Sequence, residues 1–86
     1  MTVQRISAIT LRVSDMARAV DFYSGVLGLE LQYGGPASSF SSLRTAGARD
    51  TILNLEEGTA QQNWGRLIFH VDDVDGFWRY LKSKGF

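Results

Sequence analysis

Apolar and polar residues alternate near the start of the chain. Residues 9, 11 and 13 are apolar, whereas residues 10 and 12 are Thr10 and Arg12. A period of two predicts a β-strand with one face buried against an apolar layer. On this strand Ile9, Leu11 and Val13 share one face, and Ala8, Thr10 and Arg12 share the other.

The period then changes to that of a helix. Ser14 or Asp15 offers a side-chain oxygen for the free amides of a helix N-terminus. The apolar residues that follow at helical spacing are Met16, Ala19, Val20, Tyr23, Val26 and Leu27. Gly28 is predicted to end the helix, because glycine adopts the left-handed conformation without a Cβ penalty.

Further strands are predicted downstream by short runs rich in apolar and β-branched residues. These runs are Leu29–Tyr33, Phe40–Arg44, Thr51–Glu56 and Leu67–Val71. A second helix follows, with Asp72 or Asp73 as its cap and Gly85 at its end. Its apolar stripe consists of Val74, Phe77, Trp78 and Leu81.

The first and last strand–helix units can be aligned without a gap. Val13 falls on Val71 and Asp15 on Asp73, since 71 − 13 and 73 − 15 both equal 58. Caps and apolar stripes are generic features, so common ancestry and chance similarity are about equally supported by this pattern. The predicted order is βαβββ followed by βα.

Composition narrows the functional classes. The chain has 86 residues, with 9 basic and 9 acidic side chains and no cysteine. Zero formal net charge argues against a nucleic-acid partner, which requires a basic excess. Without cysteine there are no disulfides or thiolate metal sites. The start of the chain lacks the apolar core of a signal peptide, and no apolar run is long enough for a membrane span, so a cytoplasmic location is expected.

Two stretches carry a resemblance to a known family. They are "RVSDMARAVDFYSGVLGLEL" and "FHVDDVDGFWRYLKSKG". Both resemble the vicinal oxygen chelate superfamily, which contains glyoxalases, bleomycin-resistance proteins and extradiol dioxygenases. The resemblance implies an α+β fold in a single domain over residues 1–86. A βαβββ module (1–58) is followed by the start of a second, incomplete module (65–86), and a cupped mixed sheet carries its helices on the outer face.

The resemblance also implies which residues line the cup. The candidate ligand-binding set is Thr10, Arg12, Ile52, Asn54, Arg66, Ile68 and His70. Arg12 and Arg66 are suited to a carboxylate or phosphate. The alternative is that one arginine pairs with Glu56 or lies at the rim. His70 is the only histidine, and a hydrogen-bonded or rim role is favoured over catalysis.

Metal ligands of the family would fall on Ala8, Asn54 and Arg66. Ala8 has no donor atom, Arg66 is a fixed cation, and Asn54 alone is a weak ligand. No metal or other cofactor is therefore expected, and a divalent metal is the alternative.

Three functions stay open at this point. The first is metal-free binding of a small organic molecule, anionic or neutral. The second is a metal-dependent lyase, isomerase or ring-cleaving dioxygenase with ligands supplied elsewhere, and the third is a non-catalytic assembly module. Uncovered edges of the second module favour pairing with another chain, so a homodimer or larger homo-oligomer is expected.

Overall fold

The computed structural model describes residues 6–47, 51–59 and 71–86. Four strands are present in this part of the chain: β1 (Ala8–Val13), β2 (Glu30–Tyr33), β3 (Phe40–Arg44) and β4 (Ile52–Glu57). The helices are α1 (Met16–Val20), which continues as a π-helical segment (Asp21–Val26), and α2 (Val74–Ser83). The strand predicted over Leu67–Val71 lies outside the described residues except for Val71.

The strands form one mixed sheet in the order β1-β4-β3-β2. β2, β3 and β4 are antiparallel neighbours, and β1 joins the edge of β4 in parallel. Ala8 lies opposite Ile52, and Thr10 lies opposite Asn54. This strand–helix–three-strand arrangement confirms the predicted α+β module.

The core lies between the sheet and α1. Leu43 and Leu55 are fully buried, and Leu11 and Leu53 are nearly so. From the helix, Met16 and Val20 complete this layer. Leu11 lies on the predicted apolar face of β1, and Leu53 and Leu55 alternate with the predicted cup residues Ile52 and Asn54, because successive side chains of a strand point to opposite faces.

Two aspartates begin the two helices. The Oδ1 atom of Asp15 accepts the Arg18 N–H at 3.1 Å, and that of Asp73 accepts the Gly76 N–H at 2.9 Å. Each bond joins a cap to the third residue after it, which satisfies an amide that the helix cannot. The two caps lie at the same offset of 73 − 15 = 58 residues that aligned the sequences.

The first helix differs from the prediction in its second half. The Leu27 N–H donates to the carbonyl of Phe22, five residues back, at 2.9 Å. The wider turn of this π-helical segment changes which side chains share a face. Tyr23 and Leu27 still pack against the core, as the helical spacing predicted, whereas the Phe22 ring lies 5.2 Å from that of Phe86. Gly28 ends the segment at φ +82°, as predicted.

The second helix is covered on only part of its apolar stripe. Phe77 and Leu81 are half-buried, but Val74 and Trp78 are 69% and 59% exposed. When the two strand–helix units are aligned at the offset of 58 residues, Val74 and Trp78 correspond to Met16 and Val20, which cover the sheet in the first module. Within the described residues, α2 contacts the π-helical segment through a 2.7 Å hydrogen bond from the Tyr80 hydroxyl to the Val26 carbonyl.

The helices of the described residues are all too short or too polar to cross a membrane.

Candidate functional site

The face of the sheet opposite α1 carries a transverse row of polar side chains. Thr10 on β1 lies opposite Asn54 on β4, and Asn54 lies opposite Ser42 on β3. On the edge strand, Tyr33 is the register partner of Ser42. We call Thr10, Asn54 and Ser42 the polar row. Its members come from three strands because the register aligns them, although they are far apart in sequence.

Side-chain hydrogen bonds connect the polar row. The Ser42 hydroxyl donates to Asn54 Oδ1 at 2.7 Å, and Asn54 Nδ2 donates to Thr10 Oγ1 at 3.4 Å. Asn54 and Ser42 are half-buried, whereas Thr10 is exposed. Both ends of the Asn54 amide therefore have partners within the sheet, which fixes the orientation of that side chain.

Apolar side chains flank the polar row on both sides. Ile52 and Phe40 are each 37% exposed. Ile52 lies two residues before Asn54 on β4, and Phe40 lies two residues before Ser42 on β3, so each shares the face of its neighbour. Because β3 and β4 are antiparallel, the two apolar residues stand on opposite sides of the row. The face thus combines a polar centre with apolar surface on both sides.

Arg12 stands at one margin of this face. It is the register partner of Glu56, but within the described residues no ion pair joins the two. The aliphatic part of the Arg12 side chain lies over Gly58. Arg12 also lines a shallow cleft of about 260 Å³ together with Ser14, Asp15 and Arg18. The described structure therefore supports a rim position for Arg12 rather than a pair with Glu56.

A second arginine lies at the β2 margin. Arg44 Nη2 donates to Gln32 Oε1 at 2.6 Å. Arg44 is also the register partner of Glu30. Its Nε atom is buried and has no hydrogen-bond partner in the described part of the chain. The sequence analysis did not identify Arg44. The period-two alternation of β3, which places Arg44 on the same face as Ser42 and Phe40, could have identified it.

The described residues do not fit a metal centre of the family's kind. Ala8 brings no donor atom to β1, and the Asn54 oxygen already accepts the Ser42 hydroxyl. Among residues 6–47, 51–59 and 71–86, no group of three His, Cys, Asp or Glu side chains is placed to hold a metal ion. Arg66, which falls on the third ligand position, lies outside the described residues.

Four members of the predicted ligand-binding set are thus placed by the structure. Thr10, Ile52 and Asn54 share the face of the sheet opposite α1, which we call the open face, and Arg12 lies at its rim. Arg66, Ile68 and His70 lie outside the described residues. The sequence interpretation missed Ser42 and Phe40, because it did not assign faces to the third strand. The period-two pattern of Phe40–Arg44 would have revealed both residues once the β3–β4 register was known.

A family model matches nearly the whole chain. Residues 5–86 match the glyoxalase/bleomycin resistance protein/dioxygenase superfamily. A search of curated proteins found no match.

Several solved structures share the fold. TnmS3, an antibiotic-binding protein from Streptomyces sp. CB03234, superposes with a TM-score of 0.81 at 27% identity, over 99% of this chain and 74% of its own. A glyoxalase/bleomycin resistance protein from the same organism gives 0.72 at 27% identity, over 93% and 74%. A superfamily member from Sphaerobacter thermophilus DSM 20745 gives 0.73 at 23% identity, over 99% and 74%, and this likeness concerns the fold alone.

Proposed function

Because the chain belongs to the glyoxalase/bleomycin resistance protein/dioxygenase superfamily, we propose that it binds a small organic molecule on the open face of its sheet, without a metal ion. The observation that carries this proposal is the polar row between two exposed apolar residues, Ile52 and Phe40. Small-molecule sites typically combine apolar lining with a few oriented polar groups.

The arrangement suits a flat, largely apolar ligand. Ile52 and Phe40 offer apolar contact on either side of the row. The hydrogen bonds within the row hold Asn54 in one orientation, so a ligand meets pre-positioned polar atoms rather than mobile ones. Pre-organisation of this kind lowers the entropy cost of binding.

The metal-free part of the proposal is supported by two residues. Ala8 has no ligating atom, and the only oxygen of the Asn54 side chain is engaged by Ser42. A metal-dependent lyase, isomerase or dioxygenase would need its ligands from elsewhere. The similarity to TnmS3, which is an antibiotic-binding protein, supports a binding role over catalysis. The cytoplasm is the compartment that we propose for this function.

Thermal unfolding with and without 2-naphthoate or bleomycin tests the proposal. A ligand that binds only the folded state raises the midpoint of unfolding. At a free ligand concentration of about 100 times Kd, the free energy of unfolding increases by about 2.7 kcal/mol. We expect the increase to persist after dialysis against EDTA. Ile52→Lys should abolish it, while Ala17→Lys, at an exposed position on α1, should leave it intact.

Two results would contradict the proposed function. A stoichiometric divalent ion whose removal abolishes binding would overturn the metal-free proposal. If neither compound shifts the midpoint in the parent protein, the assembly-module hypothesis gains support instead.

We also propose that two copies of the chain associate through α2. Val74 and Trp78 form an exposed apolar surface on this helix, which we call the α2 face. Asp75 and Lys82 are seven residues apart, so they border the same side of the helix two turns from each other. The Lys82 ammonium lies 4.4 Å from the centre of the Trp78 ring.

Charge complementarity supports a second copy of the chain as the partner of the α2 face. The helix begins next to Asp73 and Asp75 and ends with Lys82 and Lys84. In an antiparallel two-fold pair, the acidic end of each helix lies against the basic end of the other. In a two-fold symmetric dimer this contact between acidic and basic ends occurs twice, because both copies use the same surface.

A further inference from the structure

We infer that the ligand presents a hydrogen-bond acceptor, a carbonyl or carboxylate oxygen, to Thr10 and a hydrogen-bond donor to Ser42. This inference rests on the proposed function and assigns a direction to the ligand on the polar row. It follows from the direction of the two hydrogen bonds that connect Ser42, Asn54 and Thr10.

The first bond of the row uses the only hydrogen of the Ser42 hydroxyl. Ser42 Oγ is 2.7 Å from Asn54 Oδ1, and an amide oxygen can only accept. The hydroxyl hydrogen of Ser42 must therefore point to Asn54. What Ser42 has left to offer a ligand is the lone pairs of its oxygen, which accept a hydrogen bond.

The second bond has the opposite consequence at the other end. Asn54 Nδ2 donates to Thr10 Oγ1 at 3.4 Å, so Thr10 acts as the acceptor of this bond. The hydroxyl hydrogen of Thr10 is not consumed by it. Thr10 is exposed, and within the described residues its hydroxyl donates to no other group. This hydrogen is therefore available to an acceptor atom of a ligand.

The two ends of the row are separated by two strand spacings. Neighbouring strands lie about 4.8 Å apart, so the backbones at Thr10 and Ser42 are about 10 Å apart, and the two hydroxyl oxygens, joined through one amide by bonds of 2.7 and 3.4 Å, are somewhat closer. The ligand class is therefore an elongated, flat aromatic molecule with a carbonyl-type oxygen at one end and a hydroxyl group at the other. Its rings would lie over the row, in contact with Ile52 and Phe40.

The residues near Thr10 make both a neutral carbonyl and a carboxylate suitable. Arg12 follows Thr10 by two residues and shares its face, which favours a carboxylate. Glu56 is the register partner of Arg12, and its charge offsets part of that preference. The shared feature is an oxygen that accepts the Thr10 hydrogen, and the choice of probes separates the two forms.

Four related compounds test the inference by calorimetric titration. The first, 6-hydroxy-2-naphthoate, carries both groups at opposite ends. Its methyl ester keeps a neutral carbonyl, 2-naphthoate lacks the hydroxyl, and 2-naphthol lacks the acceptor. We expect the acid and its ester both to bind at least about fivefold more tightly than 2-naphthol or 2-naphthoate, each of which loses one hydrogen bond. Comparison of the acid with its ester shows whether charge at the Thr10 end matters.

Matched variants assign each ligand group to its residue. Thr10→Val removes the donor and keeps the shape, and should weaken binding of 6-hydroxy-2-naphthoate at least about fivefold while leaving 2-naphthol unchanged. Thr10→Ser keeps the donor and should retain parental affinity. Ser42→Ala should weaken the two hydroxylated naphthoates but not 2-naphthoate. Circular dichroism verifies that each variant is folded.

The outcomes distinguish this inference from the proposed function. Equal binding of all four compounds, or a Thr10→Val protein that binds 6-hydroxy-2-naphthoate normally, would overturn the assigned direction while leaving the open face as a binding site. If all four compounds fail to bind the parent protein but bleomycin binds, this inference is overturned and the proposed function stands; if bleomycin fails as well, both are overturned.

Discussion

The buried hydroxyl of Ser41 accepts the N–H of Gly35 at 3.0 Å and donates to the carbonyl of the same residue at 3.3 Å. This pair fixes the turn that leads from β2 to β3. The turn is tight, because Gly34 adopts φ +78° and a Cβ there would collide with the Phe40 carbonyl oxygen. Ser41 thereby sets the start of β3, which carries Phe40 and Ser42 to the open face.

We expect Ser41→Ala to destabilise the fold by about 1–3 kcal/mol, because it leaves the Gly35 N–H buried without a partner. The Gly35 carbonyl would keep its bond from the Ser38 N–H at 3.0 Å. Urea unfolding measures the change in the free energy of unfolding. Ser39→Ala, at an exposed position two residues earlier, is the control and should stay within about 0.5 kcal/mol of the parent. Similar losses for both variants would disprove the assignment.

The hydrogen bond from Tyr80 to Val26 leads to a second prediction. Tyr80→Phe removes only the hydroxyl that ties α2 to the π-helical segment. We expect a loss of about 1 kcal/mol in the free energy of unfolding, together with faster hydrogen exchange of the α2 amides. Tyr33→Phe, at an exposed position on β2, provides the control. Unchanged exchange in α2 after Tyr80→Phe would show that the two segments do not depend on this bond.

Stability should fall at alkaline pH because of Tyr23. Burial raises the pKa of the Tyr23 phenol above its ordinary value of about 10. The folded state therefore holds this proton more tightly than the unfolded state does. The resulting stabilisation is fully present below about pH 10 and is lost as the pH rises through the raised pKa. In Tyr23→Phe this loss is absent, so the difference in unfolding free energy between the variant and the parent should be constant below about pH 10 and change above it. A pH-independent difference would contradict the expected titration.

Self-association through the α2 face is testable by light scattering. At micromolar concentration we expect the parent protein to be dimeric and Trp78→Glu to be monomeric, because the substitution places a charge in the apolar contact. Tyr33→Glu alters an aromatic residue of similar exposure on β2 and should leave the dimer intact. A monomeric parent protein would refute the association outright.

Charge reversal tests the antiparallel geometry of the pair. Asp75→Lys and Lys82→Glu should each weaken association, because each places like charges opposite one another. The double variant should recover it, since the two charges are then exchanged within an antiparallel contact. High salt should weaken the parent dimer for the same reason. Without recovery in the double variant, the antiparallel arrangement is wrong even if the α2 face is an interface.

The sequence pattern predicted the four described strands and placed each helix cap at one of two residues, but it did not predict the helix geometry. Period-two alternation identified which residues of β1 and β4 are buried, because strand side chains alternate strictly between faces. The spacing of Tyr23, Val26 and Leu27 fits an α-helix, yet the carbonyl of Phe22 is paired with the N–H of Leu27. Hydrophobic spacing does not distinguish α from π turns over two turns, since that choice depends on packing.

The candidate site was predictable only in part for a related reason. Thr10, Ile52 and Asn54 follow from strand alternation together with the family resemblance. The hydrogen bond from Ser42 to Asn54 depends on the register of β3 against β4, which is set by the turns between the strands. A single sequence does not contain that register explicitly.

The parallel pairing of β1 with β4 has a consequence for the order of folding. β2, β3 and β4 follow one another along the chain and pair through short connections, whereas Thr10 and Asn54 are 44 residues apart. Closing so long a loop has a higher entropy cost than closing a hairpin, so β1 is expected to join after the three-stranded meander has formed. The polar row is completed only when β1 joins. A ligand bound to the polar row should therefore slow the detachment of β1. Ligand binding is then coupled to the last step of folding.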